Sequence, residues 1–182
     1  CMQFVCKFFC IAIVIFLCSC AESDKEKSER YMNESSKKLF KDASIELKKG
    51  NYTKAIALLE AMETKYPFGT YSNQTHLYLM YAYAKNGDES LSLSSISKFM
   101  STNADHDNID YVHFLDGYVR VNMARNPVLN FLGIDTYDRN PQQKLNALEK
   151  FLFLLNDYPD SVYAKDAQLL CYKLKHDFAR LE

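Results

Sequence analysis

Gly50-Asn51-Tyr52-Thr53-Lys54-Ala55 opens an apolar-periodic run through Ile56, Leu58, Leu59 and Met62, and Tyr66-Pro67 halts it. After the Pro67-Phe68-Gly69 turn a second run carries Leu77, Tyr78, Leu79, Tyr81, Ala82 and Tyr83 before Asn86-Gly87 breaks it. Apolar residues spaced by three and four mark helices with one buried face, and the glycines and the proline mark their ends. Gly50 and Gly87 stand at equivalent points, 87 − 50 = 37 residues apart. A helix pair of this size cannot bury its own apolar face, so the stretch predicts similar pairs on either side of it.

The 37-residue spacing is close to the roughly 34-residue period of tetratricopeptide helix pairs, with extra residues in the Pro67–Ser72 turn. Ala43 and Ala55 fall where two helices approach closely, Leu59 and Met62 where a helix faces in, and Pro67 at the stop. Further on, Ala147, Phe151, Leu154 and Pro159 repeat Ala55, Leu59, Met62 and Pro67 at a constant offset of 92 residues. The expected fold is all-α, a tetratricopeptide-like solenoid of helix hairpins with about seven helices.

In chain order, the first helix carries Leu39, Phe40, Ala43 and Leu47, with Ser35 or Ser36 as its cap and Lys48-Lys49-Gly50 as its end. The fourth follows Asp88 as cap and presents Leu91, Leu93, Ile96, Phe99 and Met100 inward. The fifth runs from Ile109, with Gly117 where a partner helix comes close. Asn126 to Asn140 interrupts the repeat before Pro141 starts the sixth. The seventh begins near Tyr163 and still presents apolar residues at Leu181, which reads as a repeat domain over 37–182 that is incomplete at its C-terminus.

The amino-terminal residues read differently. Five of the six cysteines (Cys1, Cys6, Cys10, Cys18, Cys20) lie in the first twenty residues and only Cys171 lies in the repeats, which is no disulfide framework. Lys7 and the ten apolar residues Phe8 to Leu17 have the form of a secretory signal over 1–19, too short to span a bilayer. With Met2 read as the initiator, Cys1 is left without a role. Leu17-Cys18-Ser19-Cys20 resembles the bacterial lipobox, in which the last cysteine's sulfur takes the lipid and cleavage before it frees an amine for another acyl chain. Several chains hold a protein on a membrane where one is marginal. The alternative is an uncleaved or ordinary cleaved signal with an incidental cysteine. Residues 20–36 are polar, of mixed charge and without an apolar stripe, and read as a flexible tether.

Little in the sequence supports catalysis. A net charge of −1 gives no reason to expect nucleic acid. His76, His106, His113 and His176 belong to no metal-ligand spacing, and Asp105-His106-Asp107 reads as a solvated turn rather than a cation site. Cys171, among Leu169, Leu170 and Leu174, reads as a packed core thiol. No phosphate loop or nucleophile elbow is present, and no cofactor is expected. What could bind is the surface lined by the first helix of each pair. Aligning the pairs on Ala43, Met80 and Gly117 turns Phe40, Tyr81, Tyr111, Phe114 and Tyr118 toward it, with Gln74 as a polar partner. Aromatics with hydroxyls suit a peptide groove, and the same residues equally suit packing between repeats.

Several stretches carry a more specific resemblance: Tyr66-Pro67-Phe68-Gly69-Thr70-Tyr71-Ser72, Tyr81-Ala82-Tyr83, Asn108-Ile109-Asp110-Tyr111-Val112, Phe131-Leu132-Gly133-Ile134-Asp135, Asp138-Arg139-Asn140-Pro141, and Tyr158-Pro159-Asp160-Ser161-Val162-Tyr163. With the lipobox they make the chain similar to the BamD/ComL family of outer-membrane assembly lipoproteins. Thr70, Asn140 and Asp116 depart from it, standing where proline, aspartate and arginine are usual. The resemblance implies a non-enzymatic lipoprotein of the β-barrel assembly complex. Its expected partners are a BamA-type barrel subunit, accessory lipoproteins and unfolded outer-membrane protein chains. It also implies a lipid anchor at Cys20, on the periplasmic face of the outer membrane, since Ala21 rather than aspartate follows the cysteine. The resemblance implies early repeats that receive substrate and later pairs that dock the barrel subunit; this chain is expected to lack the later pairs and to keep the substrate-facing role. The competing expectation is a lipid-anchored repeat scaffold for another cell-envelope complex.

Overall fold

The computed structural model describes residues 31, 34–124 and 141–179. The signal, the lipobox residues Leu17, Cys18, Ser19 and Cys20, the segment Phe131–Asp135 and the stretch Asp138–Asn140 lie outside them. Seven helices follow one another in the described residues: α1 (Ser36–Lys49), α2 (Tyr52–Lys65), α3 (Ser72–Asn86), α4 (Glu89–Thr102), α5 (Ile109–Met123), α6 (Pro141–Asp157) and α7 (Ala164–Ala179). No strand occurs among the described residues.

The connections alternate in a regular way. Two-residue links close α1 to α2 and α3 to α4, each through a glycine in the left-handed region, Gly50 at φ 78° and Gly87 at φ 87°. The amides beyond them turn back on the helix ends, Asn51 N–H to the Glu46 carbonyl and Asp88 N–H to the Tyr83 carbonyl, both at 2.9 Å. A side chain at either glycine would be strained in that backbone conformation, so these are the positions where only glycine closes the hairpin cheaply. The links α2–α3, α4–α5 and α6–α7 are six residues each and share one pattern of bonds. Gly69 N–H donates to Tyr66 and Ser72 N–H to Gly69; His106 to Asn103 and Ile109 to His106; Ser161 to Tyr158 and Ala164 to Ser161. The 37- and 92-residue offsets therefore hold in the turns as well as in the helices.

Each helix packs on the next, and three apolar cores follow one another along the chain. The first joins α1, α2 and α3 through Leu39, Ala43, Leu59, Met62 and Ala82. The second joins α3, α4 and α5 through Leu77, Met80, Ile96, Phe99 and Val112. The third joins α5, α6 and α7 through Val121, Ala147, Phe151, Leu154 and Ala167. A helix such as α3 thus serves two cores at once, with Leu79 and Ala82 on one side and Leu77 and Met80 on the other, which is how stacked repeats become one body. Full burial of a leucine such as Leu59 or Leu154 stabilises by about 1.5–3 kcal/mol.

The repeat positions read from the sequence are buried as expected: Ala55, Leu59, Ala147, Phe151 and Leu154 are wholly inaccessible and Met62 nearly so. The fourth helix differs in detail. Ser92, Ile96 and Phe99 occupy the buried positions, each 37 residues after Ala55, Leu59 and Met62, while Leu91 is half exposed. Ser92 can stand in for a small apolar residue because its Oγ donates to the Met80 carbonyl at 2.9 Å, leaving nothing unsatisfied. Asp88 opens α4 without a side-chain bond to the helix, because its carboxylate accepts from Asn86 Nδ2 at 2.7 Å instead. Ser35 does cap α1, its Oγ accepting from Lys38 N–H.

Between α5 and α6 the helices come close at Gly117, which lies against the ring of Phe151. Around it runs a partly buried polar network centred on the buried Asp116: Arg120 Nε donates to Asp116 Oδ1 at 2.7 Å, Arg120 Nη1 to Gln143 Oε1 at 3.4 Å, and Lys150 Nζ lies 3.8 Å from Asp116 Oδ2. These pairs also show that α5 and α6 run antiparallel. Asp116, where the resemblance expects arginine, is the buried acid that ties the two helices together.

Candidate functional site

The helices α1, α3 and α5 lie on one side of the stack, and a groove of about 480 Å³ opens along them. Ser44, Leu47 and Lys48 of α1 form one wall; Gln74, Leu77, Tyr78 and Tyr81 of α3 form the floor; Asn108 and Tyr111 at the start of α5, with Tyr163 from the α6–α7 turn, close the other wall. Of the residues expected from the sequence, Gln74, Tyr81 and Tyr111 line this groove. Tyr118 is near enough to Tyr81 to act on its phenol. Phe40 lies beside the groove, stacked on Tyr71 at 4.5 Å and on Tyr78 at 5.4 Å. Phe114 is stacked on Tyr163 at 5.2 Å and contacts Phe151 and Tyr118. Phe40 and Phe114 hold equivalent places in their helices, each bracing the tyrosine that leads into the next helix of the wall.

Tyr163, Tyr78 and Asn108 line the groove without having been singled out from the sequence. Tyr163 is brought there by a chain of bonds across the repeats: Ser161 Oγ donates to Asp110 Oδ2 at 2.6 Å, and Tyr163 N–H donates to Ser161 Oγ at 3.1 Å. Its ring then meets Tyr111 at 5.4 Å. The signal was present, since Tyr163 stands 92 residues after Tyr71, the tyrosine against Phe40.

Electrostatically the groove is nearly neutral. Burial, then a hydrogen bond with Tyr52, pushes the Tyr81 phenol above its ordinary value. Burial raises Tyr111 as well, with Tyr163 and Tyr81 adding to it, and burial with Asp110 raises Tyr163. All three therefore stay protonated at neutral pH and offer hydroxyls that both donate and accept. Lys48 is the one charged residue among the described lining. Such a surface can hydrogen-bond a main chain and stack on side chains, and it presents no nucleophile and no acid–base pair.

Most of the other reactive groups among the described residues are engaged in structural contacts, and His113, packed against Phe153 and Tyr158, keeps a buried Nδ1 without a hydrogen-bond partner. Glu63 of α2, His76 of α3 and Lys98 of α4 meet at 3.4 and 3.1 Å, and the His76 and Lys98 contacts hold the Glu63 carboxyl down at about 2. Glu46 is held at about 2 by the Asn51 amide first, then by Lys49 and Lys54. His106 Nδ1 accepts from Asn108 N–H, and its ring packs on Phe99. Cys171 is buried and burial pushes its thiol up. Among the described residues no group of His, Cys, Asp or Glu is placed to hold a metal ion, and no helix is long and apolar enough to cross a membrane.

Antiparallel hairpins stacked over shared cores, with an aromatic and polar groove along one side, define a helical-repeat protein. Residues 27–170 match the family model described as tetratricopeptide repeat. The chain is 38% identical over 144 residues to the outer membrane protein assembly factor BamD of Vibrio cholerae, covering 79% of this chain and 60% of that one. It is 30% identical over 166 residues to BamD of Neisseria gonorrhoeae, covering 90% and 62%, and 29% identical over 175 residues to that of Pasteurella multocida, covering 96% and 66%. The chain belongs to the BamD family of tetratricopeptide-repeat proteins. It spans about three fifths of the first of these relatives.

Proposed function

We propose that this chain acts in outer membrane protein assembly, as a non-enzymatic lipoprotein that holds segments of unfolded barrel proteins in the groove along α1, α3 and α5. The observation that carries the reading is the groove itself: nearly neutral, lined by tyrosine rings, with hydroxyl and amide groups among them. Phenol rings bury area at small entropic cost, and their hydroxyls accept varied sequences because they bond to backbone rather than to particular side chains. The names of the relatives agree with this role. On this reading Cys20 carries the lipid after cleavage behind Leu17-Cys18-Ser19, and the repeats hang on the periplasmic face of the outer membrane. The partners are a BamA-type barrel subunit with its accessory lipoproteins. A scaffold serving another envelope complex is the second reading, favoured only by the general binding capacity of helical repeats.

Affinity measured between the body from Ala21 onward and unfolded barrel-protein segments tests the groove. Truncating a central ring, Tyr81→Ala or Tyr111→Ala, should weaken binding by about tenfold, the equivalent of ~1.4 kcal/mol. Unchanged affinity in both variants would reject the groove. Depletion separates the two readings, because only the first expects many different barrel proteins to be lost together. Cys20→Ser should abolish labelling by palmitate, and labelling of that variant at the normal level would reject the anchor.

A further inference from the structure

The α2–α3 turn carries Phe68, whose side chain is 98% exposed, the most exposed large apolar residue among those described. Antiparallel packing puts this turn at the same edge of the stack as the start of α1, where the amino-terminal segment joins the body. The join is fixed there: Lys65 Nζ and the Tyr66 hydroxyl both donate to the Glu34 carbonyl, at 2.8 and 3.0 Å, and Tyr31 packs on the first core. Glu34 is therefore fastened to Lys65 and Tyr66, three and two residues before Phe68.

We propose that the Phe68 turn is a second membrane contact, seated in the phospholipid headgroup region beside the anchored Cys20. This rests on the lipid-anchor reading given above. Glu34 and Cys20 are 34 − 20 = 14 residues apart, and a chain of that length reaches at most about 50 Å, so the turn stays within reach of the bilayer. Tethering makes its contact effectively intramolecular, and one aromatic then suffices where it would not bind alone. Aromatic rings favour the headgroup boundary.

The charges along the same edge select this turn over the others. The first turn, Tyr66-Pro67-Phe68-Gly69-Thr70-Tyr71, has no charged residue, and the exposed Lys37 and Lys41 lie on the neighbouring start of α1. The α4–α5 turn presents Asp105 and Asp107, and the α6–α7 turn presents Asp160 next to Asp157, all exposed. Val162, 82% exposed, stands among those acids. An anionic phospholipid surface attracts the lysines beside the first turn and repels the acids of the other two. The stack is thus set on its first hairpin, with the acidic turns held off the bilayer.

The chain contains no tryptophan, so Phe68→Trp and Val162→Trp each create a single reporter. The acylated full-length chain is placed on vesicles of phosphatidylethanolamine and phosphatidylglycerol, and flotation is checked first. Emission at position 68 should shift to the blue and be quenched by brominated acyl chains, while emission at 162 stays water-like and open to iodide. If the chain floats and position 68 remains as open to iodide as in solution, the membrane contact is wrong and the anchor stands. If position 68 responds only when a barrel partner is added, the turn is a protein contact and the proposal is overturned. If the acylated chain does not float, the anchor reading fails and this one with it. Phe68→Ser should leave the melting temperature unchanged, since so exposed a ring packs on nothing; a large loss would show that the turn is structural.

Discussion

Gly117→Ala tests the packing that joins the second core to the third. A methyl group built at Gly117 would meet Phe151 Cε1 at 2.6 Å, Cζ at 2.8 Å and Cδ1 at 2.9 Å, closer than side-chain carbons approach. Phe151 is wholly inaccessible and braced by Phe114, so the ring has little room to withdraw. Overfilling a tight core costs about 1–3 kcal/mol. Replacing glycine by alanine inside a helix returns about 1 kcal/mol through propensity. The net loss should be ~1 kcal/mol, up to about 2. Urea unfolding of the body from Ala21 onward, followed by circular dichroism, measures it. The decisive comparison repeats the substitution in a Phe151→Leu background, where the obstructing ring is gone and only propensity acts. There Gly117→Ala should stabilise, so that its effect changes sign between backgrounds. An equal effect in both would refute the claim that Phe151 fixes the approach of α6 to α5.

Three other outcomes follow from the same cores. Ala55→Phe overfills the first hairpin at a position with no accessible surface and should cost about 1–3 kcal/mol in urea unfolding. Ser92→Ala removes the bond to the Met80 carbonyl and leaves that buried acceptor with one donor fewer, for a loss of about 0.5–1.5 kcal/mol by the same assay. Acid should weaken the fold through Glu46 and Glu63. Both carboxyls are depressed in the folded state to about 2, so their contribution is complete above the ordinary carboxylate value near 4.5 and is lost as pH falls toward about 2. Melting temperatures across that window should fall, and Glu63→Gln should flatten the slope; an unchanged slope would show that His76 and Lys98 do not hold this carboxylate.

Much of the fold was legible because repeats write the same physical requirement several times. Ala55, Leu59 and Met62 recur as Ala147, Phe151 and Leu154, and all six are buried. The intervening copy was harder to see, since Ser92 stands at the small position and a polar residue hides the pattern until its hydroxyl is seen bonded to Met80. Leu91 looked like a core residue by hydrophobicity and is half exposed, because the helix face is set by Ile96 and Phe99 instead. In the groove, Gln74, Tyr81 and Tyr111 were legible from helix alignment alone. Tyr163 was legible only as the residue 92 after Tyr71; that it reaches the groove depends on the Ser161–Asp110 bond, a contact 51 residues apart in sequence that no local periodicity records.

The proposed role is tested most directly by photocrosslinking from within the groove in cells that are assembling barrel proteins. A photoreactive phenylalanine analogue at Tyr81 or Tyr111 should capture unfolded barrel chains, while the same group at Leu91, half exposed on α4, should capture none. Capture from Leu91 with none from Tyr81 or Tyr111 would contradict substrate binding along α1, α3 and α5.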